Sequence, residues 1–209
     1  MTLEEKKERL IAMEWEDFRN VNNEGGKADC QENPGTFHAM RKSQFAPWPE
    51  SVVDSYMSDL EEAKKQGRNL PAEKYAWMME STAPEAFARI AHLLPALTDA
   101  KKELIERIVA LEVSWMRLYY ETYPNLSAGN RPLTTAEDAP DDTSFETYLR
   151  GELKTYSEWT LAEYWGFLED LQKKGQNLAF LTMEAMVKEY GYPDLTAADE
   201  AEARRWGRS

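Results

Sequence analysis

Apolar residues recur along this chain at helical spacing, never in strict alternation. Leu10, Ile11, Trp15 and Phe18 form one stripe, the i, i+3, i+4 pattern of an amphipathic helix. Thr2 and Glu5 stand before it at the spacing of a capping box, in which hydroxyl and carboxylate each satisfy the other's backbone N–H. A polar stretch over 20–35 interrupts the pattern. The next helix is predicted over 36–46, ended by Pro47 and Pro49, because proline lacks the donor a helix interior needs. A third runs from Glu50 to Gly67, where glycine tolerates the left-handed backbone that closes a helix. A fourth opens at Leu70-Pro71, with proline in the first turn, where its missing N–H costs nothing. A short helix over 84–94 follows.

The same grammar then returns. Thr98 caps a long helix reaching Tyr123, and Thr143 with Glu146 offers another capping box. Ser157 caps a helix that Gly175 ends, Gly191 ends the next, and Thr196 caps a last helix over about 197–206. No run of alternating β-branched residues suggests a strand. The predicted fold class is all-α.

The letters repeat as well as the pattern. Over the ungapped stretch 36–70, Phe37, Glu50, Tyr56, Leu60, Glu61, Lys65, Gly67, Asn69 and Leu70 recur 108 positions later, where ordinary residue usage would give about two identities. Glu5, Glu8, Arg9, Ala12, Glu14 and Arg19 recur 98 positions later. Self-similarity of this kind marks duplicated architecture. The expected arrangement is a helical bundle of two tandem, pseudo-symmetric four-helix repeats, over about 3–82 and 98–191, within one globular domain spanning 1–209.

Composition narrows the function classes. The 209 residues carry 25 Lys+Arg against 38 Asp+Glu, a formal net charge of −13. Such a chain repels a phosphate backbone, so nucleic acid is not an expected ligand. Apolar residues at 42% and 11% aromatics argue for a packed core over disorder. The single cysteine, Cys30, excludes a disulfide within the chain and a cysteine-built zinc site. The opening MTLEEKKERL reads as a charged helix, not a signal peptide, and no apolar run reaches the roughly 20 residues of a membrane span. A cytoplasmic protein with no membrane association is expected.

Several strings resemble a bacterial family of unknown function: Asn22-Asn23 with Gly25-Gly26 and Cys30-Gln31, Ser43-Gln44-Phe45 before Trp48-Pro49, 74–82 (KYAWMMEST), and 144–152 (SFETYLRGE). The resemblance covers about 3–195. It implies no activity and no site residue, so the chemistry must be read from the residues.

Polar residues on apolar helix faces are the informative ones. Phe145, Tyr148, Glu152 and Tyr156 share one stripe, and Phe37, Met40, Gln44 and Trp48 share its counterpart. Glu112 lies among Ile105, Ile108, Val109, Met116 and Tyr119, and Glu14 among Leu10, Ile11 and Phe18. A buried carboxylate needs partners, and Arg41, Lys74, Arg150, Tyr75 and Tyr156 supply them. The ligand-binding candidates are therefore Arg41, Gln44, Trp48, Lys74, Tyr75, Arg150, Glu152 and Tyr156, in a polar pocket between the repeats. Arginines there would hold a small anionic metabolite through bidentate bonds, and Glu112 or Glu152 would serve as a catalytic base. The structural alternative is a salt-bridge network that only fixes helix register.

Other chemistries are weaker. A di-metal carboxylate site wants Glu-x-x-His pairs, but Gly35 and Arg89 stand three residues before His38 and His92, so no metal is assigned. No cofactor is expected: Gly25-Gly26 lacks the flanking strand and Lys-Ser/Thr of a phosphate cradle. A Cys30–His38 nucleophilic pair is the sole thiol arrangement available, and His92 reads as a packed histidine. The loops 20–35 and 124–142 are long enough to bind something, through Asn22, Asn23 and Gln31 in the first and Arg131 in the second. Trp77, Met78, Met79, Trp159 and Trp165 read as core filling. Two functions emerge: a small-molecule-binding protein, with catalysis undecided, or a non-enzymatic acidic module that binds a protein partner.

Overall fold

The computed structural model describes residues 1–21, 29–139 and 142–207, and these are helical throughout apart from turns, loops and one isolated bridge between Ala139 and Asp142. The α-helices are α1 (Leu3–Phe18), α2 (Pro34–Phe45), α3 (Glu50–Lys65), α4 (Leu70–Thr82), α5 (Pro84–Ile90) and α6 (Asp99–Thr122). After them come α7 (Pro124–Ser127), α8 (Phe145–Thr155), α9 (Glu158–Lys173), α10 (Leu178–Glu189) and α11 (Leu195–Arg205).

Most ends follow the local chemistry predicted for them. Thr2 and Glu5 close the capping box of α1, Thr98 caps α6 and Ser157 caps α9. Gly67 and Gly175 take φ of 69° and 65° after α3 and α9, a conformation that costs a residue with a Cβ about 1 kcal/mol or more. Asn69 and Asn177 cap α4 and α10 with their side-chain oxygens. Each also turns its amide N–H to a carbonyl of the first helix of its half, Asp17 O in the last turn of α1 at 2.8 Å and Trp115 O about two turns before the end of α6 at 3.2 Å.

Some ends differ from expectation. α2 begins at Pro34 with Asn33 as its cap, two residues before the predicted start, because Pro34-Gly35 is accepted in a first turn. Ser144, not Thr143, caps α8; Glu146 is drawn instead to Arg150 and the Thr135 N–H. Asp194, not Thr196, caps α11, since a carboxylate three residues before the Ala197 N–H meets the same need. Trp159 is 57% exposed, its indole N–H donating to Glu163, and so does not fill the core. His92 is likewise exposed, in the 3₁₀ turn after α5.

Packing sets the site. α1 lies against α2, α3 and α4, while α6 lies against α8, α9 and α10. Between these groups α4 packs on α8, α2 on α10 and α3 on α9. The main core runs through the junction, with Leu10, Trp48, Val52, Leu60, Ile108, Leu161 and Leu168 in one cluster. A second cluster, around Tyr119, Val187, Leu195 and Ala198, seats α11. The α4–α8 contact is close because Gly151 has no side chain: a Cβ there would meet Met78 Cγ at 2.8 Å and the Lys74 carbonyl at 3.0 Å.

Candidate functional site

A cavity of about 650 Å³ opens where α1, α2, α4, α6, α8, α9 and α10 converge. The apolar wall follows from helical spacing. Phe37, Met40 and Trp48 reach it from α2 and the turn after it, and Phe145, Tyr148 and Leu149 from α8. α6 gives Trp115 and Met116, and α10 gives Met183 and Met186.

One side of the wall is a closed polar cluster. Arg41 grips Glu14 with Nε 2.7 Å from Oε2 and Nη2 donating to Oε1 at 2.7 Å. The Tyr56 hydroxyl donates to Glu14 Oε1 at 2.6 Å. Arg41 Nη1 also reaches Glu152 Oε1 at 3.3 Å and the Gln44 carbonyl oxygen. Glu152 Oε1 accepts further bonds from Gln44 Nε2 at 3.0 Å and Tyr156 OH at 3.1 Å. Lys74 Nζ lies 3.5 Å from Glu152 Oε2, donates to Tyr148 OH at 2.7 Å, and sits 4.3 Å from the Tyr148 ring centre. Two buried cations thus answer two buried carboxylates, as burial requires.

Glu112 stands apart from that balance. It is 8% exposed, lines the cavity, and accepts a 2.8 Å bond from the Tyr164 hydroxyl. Among the described residues no Lys, Arg or His approaches it. Burial pushes its carboxyl up to about 8, with the Tyr164 bond opposing and the Glu152 charge adding. Glu152 behaves oppositely: burial would raise it, but Arg41 and Lys74, aided by Gln44 and Tyr156, hold it at about 2. Glu14 is raised by burial against the pull of Arg41. Environment alone therefore separates the two glutamates, leaving Glu152 a fixed anion and Glu112 a neutral acid at pH 7.

Of the residues singled out from the sequence, Arg41, Gln44, Trp48, Lys74, Tyr75, Glu112, Glu152 and Tyr156 all line this cavity. Arg150 does not. It faces away, toward a depression of about 290 Å³, where Glu106 and Glu146 accept its N–H groups at 2.7–3.0 Å. Asn22 and Asn23, with Gly25 and Gly26, lie outside the described residues, as does the Cys30 side chain. His38 Nε2 is 2.8 Å from Glu8 Oε2. Gln31 turns its amide inward to the Phe18 and Val21 carbonyls at 3.0 and 2.8 Å, which corrects the expectation that it offers that amide to a ligand. Arg131 lines the cavity at an exposed position, donates to the Thr143 carbonyl and lies over the Tyr148 ring.

Sequence reasoning missed Tyr56 and Tyr164, the hydroxyl partners of Glu14 and Glu112. The signal was available, since the two tyrosines are identical residues 108 positions apart. Among the described residues no group of three or more His, Cys, Asp or Glu could hold a metal ion, and no helix is long and apolar enough to cross a membrane.

Fold and site together define an all-helical protein with an aromatic cavity backed by a neutralised ion cluster and one uncompensated acid. The family model described as "Protein of unknown function (DUF4125)" matches residues 4–200, and the chain belongs to that family. No curated protein and no solved structure matches it.

Proposed function

We propose that this chain is an internally duplicated helical domain whose cavity, between the two repeats, binds a small organic molecule. The duplication is supported by equivalent contacts as well as equivalent letters. Glu14 with Tyr56 and Glu112 with Tyr164 are the same carboxylate–hydroxyl pair, at 2.6 and 2.8 Å. The Asn69 and Asn177 caps bond back to equivalent carbonyls, and α3 and α9 end in matching left-handed glycines. Exchanging the repeats turns the α4–α8 contact into α10–α2 and leaves α3–α9 unchanged, and all three contacts occur.

The observation that carries the binding reading is the cavity itself. Its volume of about 650 Å³ falls in the range of ligand sites, roughly 300–1,000 Å³, and its mostly apolar wall with a few convergent polar groups is the usual make-up of one. A titratable group far from its ordinary pKa inside such a cleft adds to the case. If the site is catalytic, Glu112 is the proton donor and Glu152 a fixed electrostatic element, because Arg41 and Lys74 keep Glu152 from taking a proton near neutrality. The cavity favours this reading over an acidic protein-interaction module.

Native mass spectrometry of the purified protein, followed by thermal-shift screening against a metabolite library, tests it. A ligand at about a hundred times its Kd adds about 2.7 kcal/mol, roughly 5–11 °C for a chain of this size. Met183→Trp, which fills the cavity from α10, should remove the shift while the protein still melts cooperatively. A ligand whose stabilisation survives that substitution, or no adduct and no shift at all, refutes the assignment.

A further inference from the structure

The geometry points to a ligand that carries a positively charged nitrogen on an apolar body, with the charge seated against Glu112. This deepens the cavity reading and rests on it.

The first argument is charge balance. Arg41 and Lys74 are already engaged by Glu14 and Glu152 at 2.7–3.5 Å. An anion entering the cavity would have to break these contacts. Glu112, in contrast, has the Tyr164 hydroxyl and, among the described residues, no cation. A buried carboxyl in that position stays protonated until a positive charge arrives to pay for its ionisation.

The second argument comes from comparing equivalent positions. Glu14 and Glu112 each keep their tyrosine. Glu14 also has Arg41, but 108 positions after Arg41 stands Leu149, and 108 positions after Lys74 stands Thr182. Both replacements line the cavity. One carboxylate is thus answered from within the chain, while the other has lost both cations and faces open space.

The third argument is the lining near Glu112. Trp115 and Met116 follow it by one turn on α6, and the Trp48 and Tyr156 rings lie 5.5 and 6.3 Å from the ring of Tyr164. Aromatic faces attract cations, most strongly when desolvated. The net charge of −13 draws them toward the protein.

Binding would ionise Glu112 and release one proton to solvent, so affinity should rise with pH. The other titratable groups in the wall do not supply this slope. Glu152 and Tyr156 on α8, Tyr164 on α9, Arg41 on α2 and Lys74 on α4 keep one charge state between pH 6 and 8. Tyr75, Tyr120, Tyr148 and Arg131 complete the charged and titratable lining, and the cavity-lining residues of α10 include none. Glu14 of α1 is also raised by burial but is bonded to Arg41 and Tyr56 within the cluster, so a slope that survives Glu112→Gln would belong to Glu14 and refute the assignment.

Three probes that share one ring and differ in charge test the assignment by calorimetry: naphthylmethyl-trimethylammonium, naphthylmethanol and naphthylacetate. The quaternary cation should bind at least about tenfold tighter than the alcohol at pH 8, and its affinity should rise about tenfold per pH unit below 8, as expected when one proton is released. Glu112→Gln should abolish the preference and the slope, so that the cation binds no tighter than naphthylmethanol at any pH. Leu149→Arg, which restores an internal cation, should abolish cation binding. If the alcohol or the acetate binds as well as the cation, or the wild-type cation affinity is flat with pH, the charge assignment fails while the cavity reading stands. If none of the three binds, both fail. Should Glu112→Gln not fold, the wild-type pH profile and the Leu149→Arg variant decide together.

Discussion

Replacing Glu112 with Gln should make the protein more stable, and by an amount that depends on pH. In the unfolded chain the carboxyl titrates near its ordinary 4.5, whereas in the folded protein it titrates at about 8. Between those values the native state keeps a proton that the unfolded state has released, so stability falls as pH rises. At about 1.36 kcal/mol per pH unit, the loss grows to about 3 kcal/mol at pH 7 and about 4 kcal/mol at pH 8, where the folded-state carboxyl is half ionised. Gln keeps the shape and the acceptor for the Tyr164 hydroxyl but does not titrate. Urea unfolding should therefore give nearly equal stabilities at pH 4.5, within about 1 kcal/mol for the altered hydrogen bonding. At pH 7 the variant should lead by about 3 kcal/mol, equivalent to roughly 6–12 °C in Tm for a chain of this length. A gap that is constant with pH, or a wild type more stable at pH 8, would show that Glu112 is not the uncompensated acid described here. The gain in the variant also measures what the fold gives up to keep a carboxyl in the cavity, the usual mark of a residue retained for function.

Arg41→Leu, which copies the residue found at 149, should cost about 3–5 kcal/mol, because it strands Glu14 and weakens the hold on Glu152. Adding Glu14→Gln should recover most of that loss in chemical denaturation, and full additivity of the two changes would refute the pairing. Gly151→Ala should destabilise by about 1–3 kcal/mol, since the new methyl meets the α4 backbone at Lys74; an unchanged Tm would contradict the close contact. On acidification the stability contributed by Glu152 should be present above about 4.5 and fade as pH falls toward about 2, the reverse of Glu112. Wild type and Glu152→Gln should therefore converge in stability at low pH, and parallel curves would argue against the cluster.

Helices were legible because their information is local. Apolar stripes, Gly67 and Gly175, and the caps Thr2, Thr98 and Ser157 act within a turn or two, so spacing alone exposed them. Eight cavity residues could be named for a related reason: a polar side chain inside an apolar stripe must be buried, and a buried charge must find a partner. The sequence could say that Glu112 and Glu152 needed partners, but which partner each would find depended on contacts between helices far apart in the chain. Arg41 and Glu152 are separated by 111 positions, and nothing in their neighbourhoods signals that they meet. Arg150, by contrast, could have been placed from the sequence: it lies two residues from Glu152 on the same helix, and side chains two apart do not share a helix face, so spacing alone turns it out of the cavity. Glu112 meets no cation among the described residues, and its own helix could not foretell that, because charge pairing is a property of three-dimensional proximity that no single helix contains.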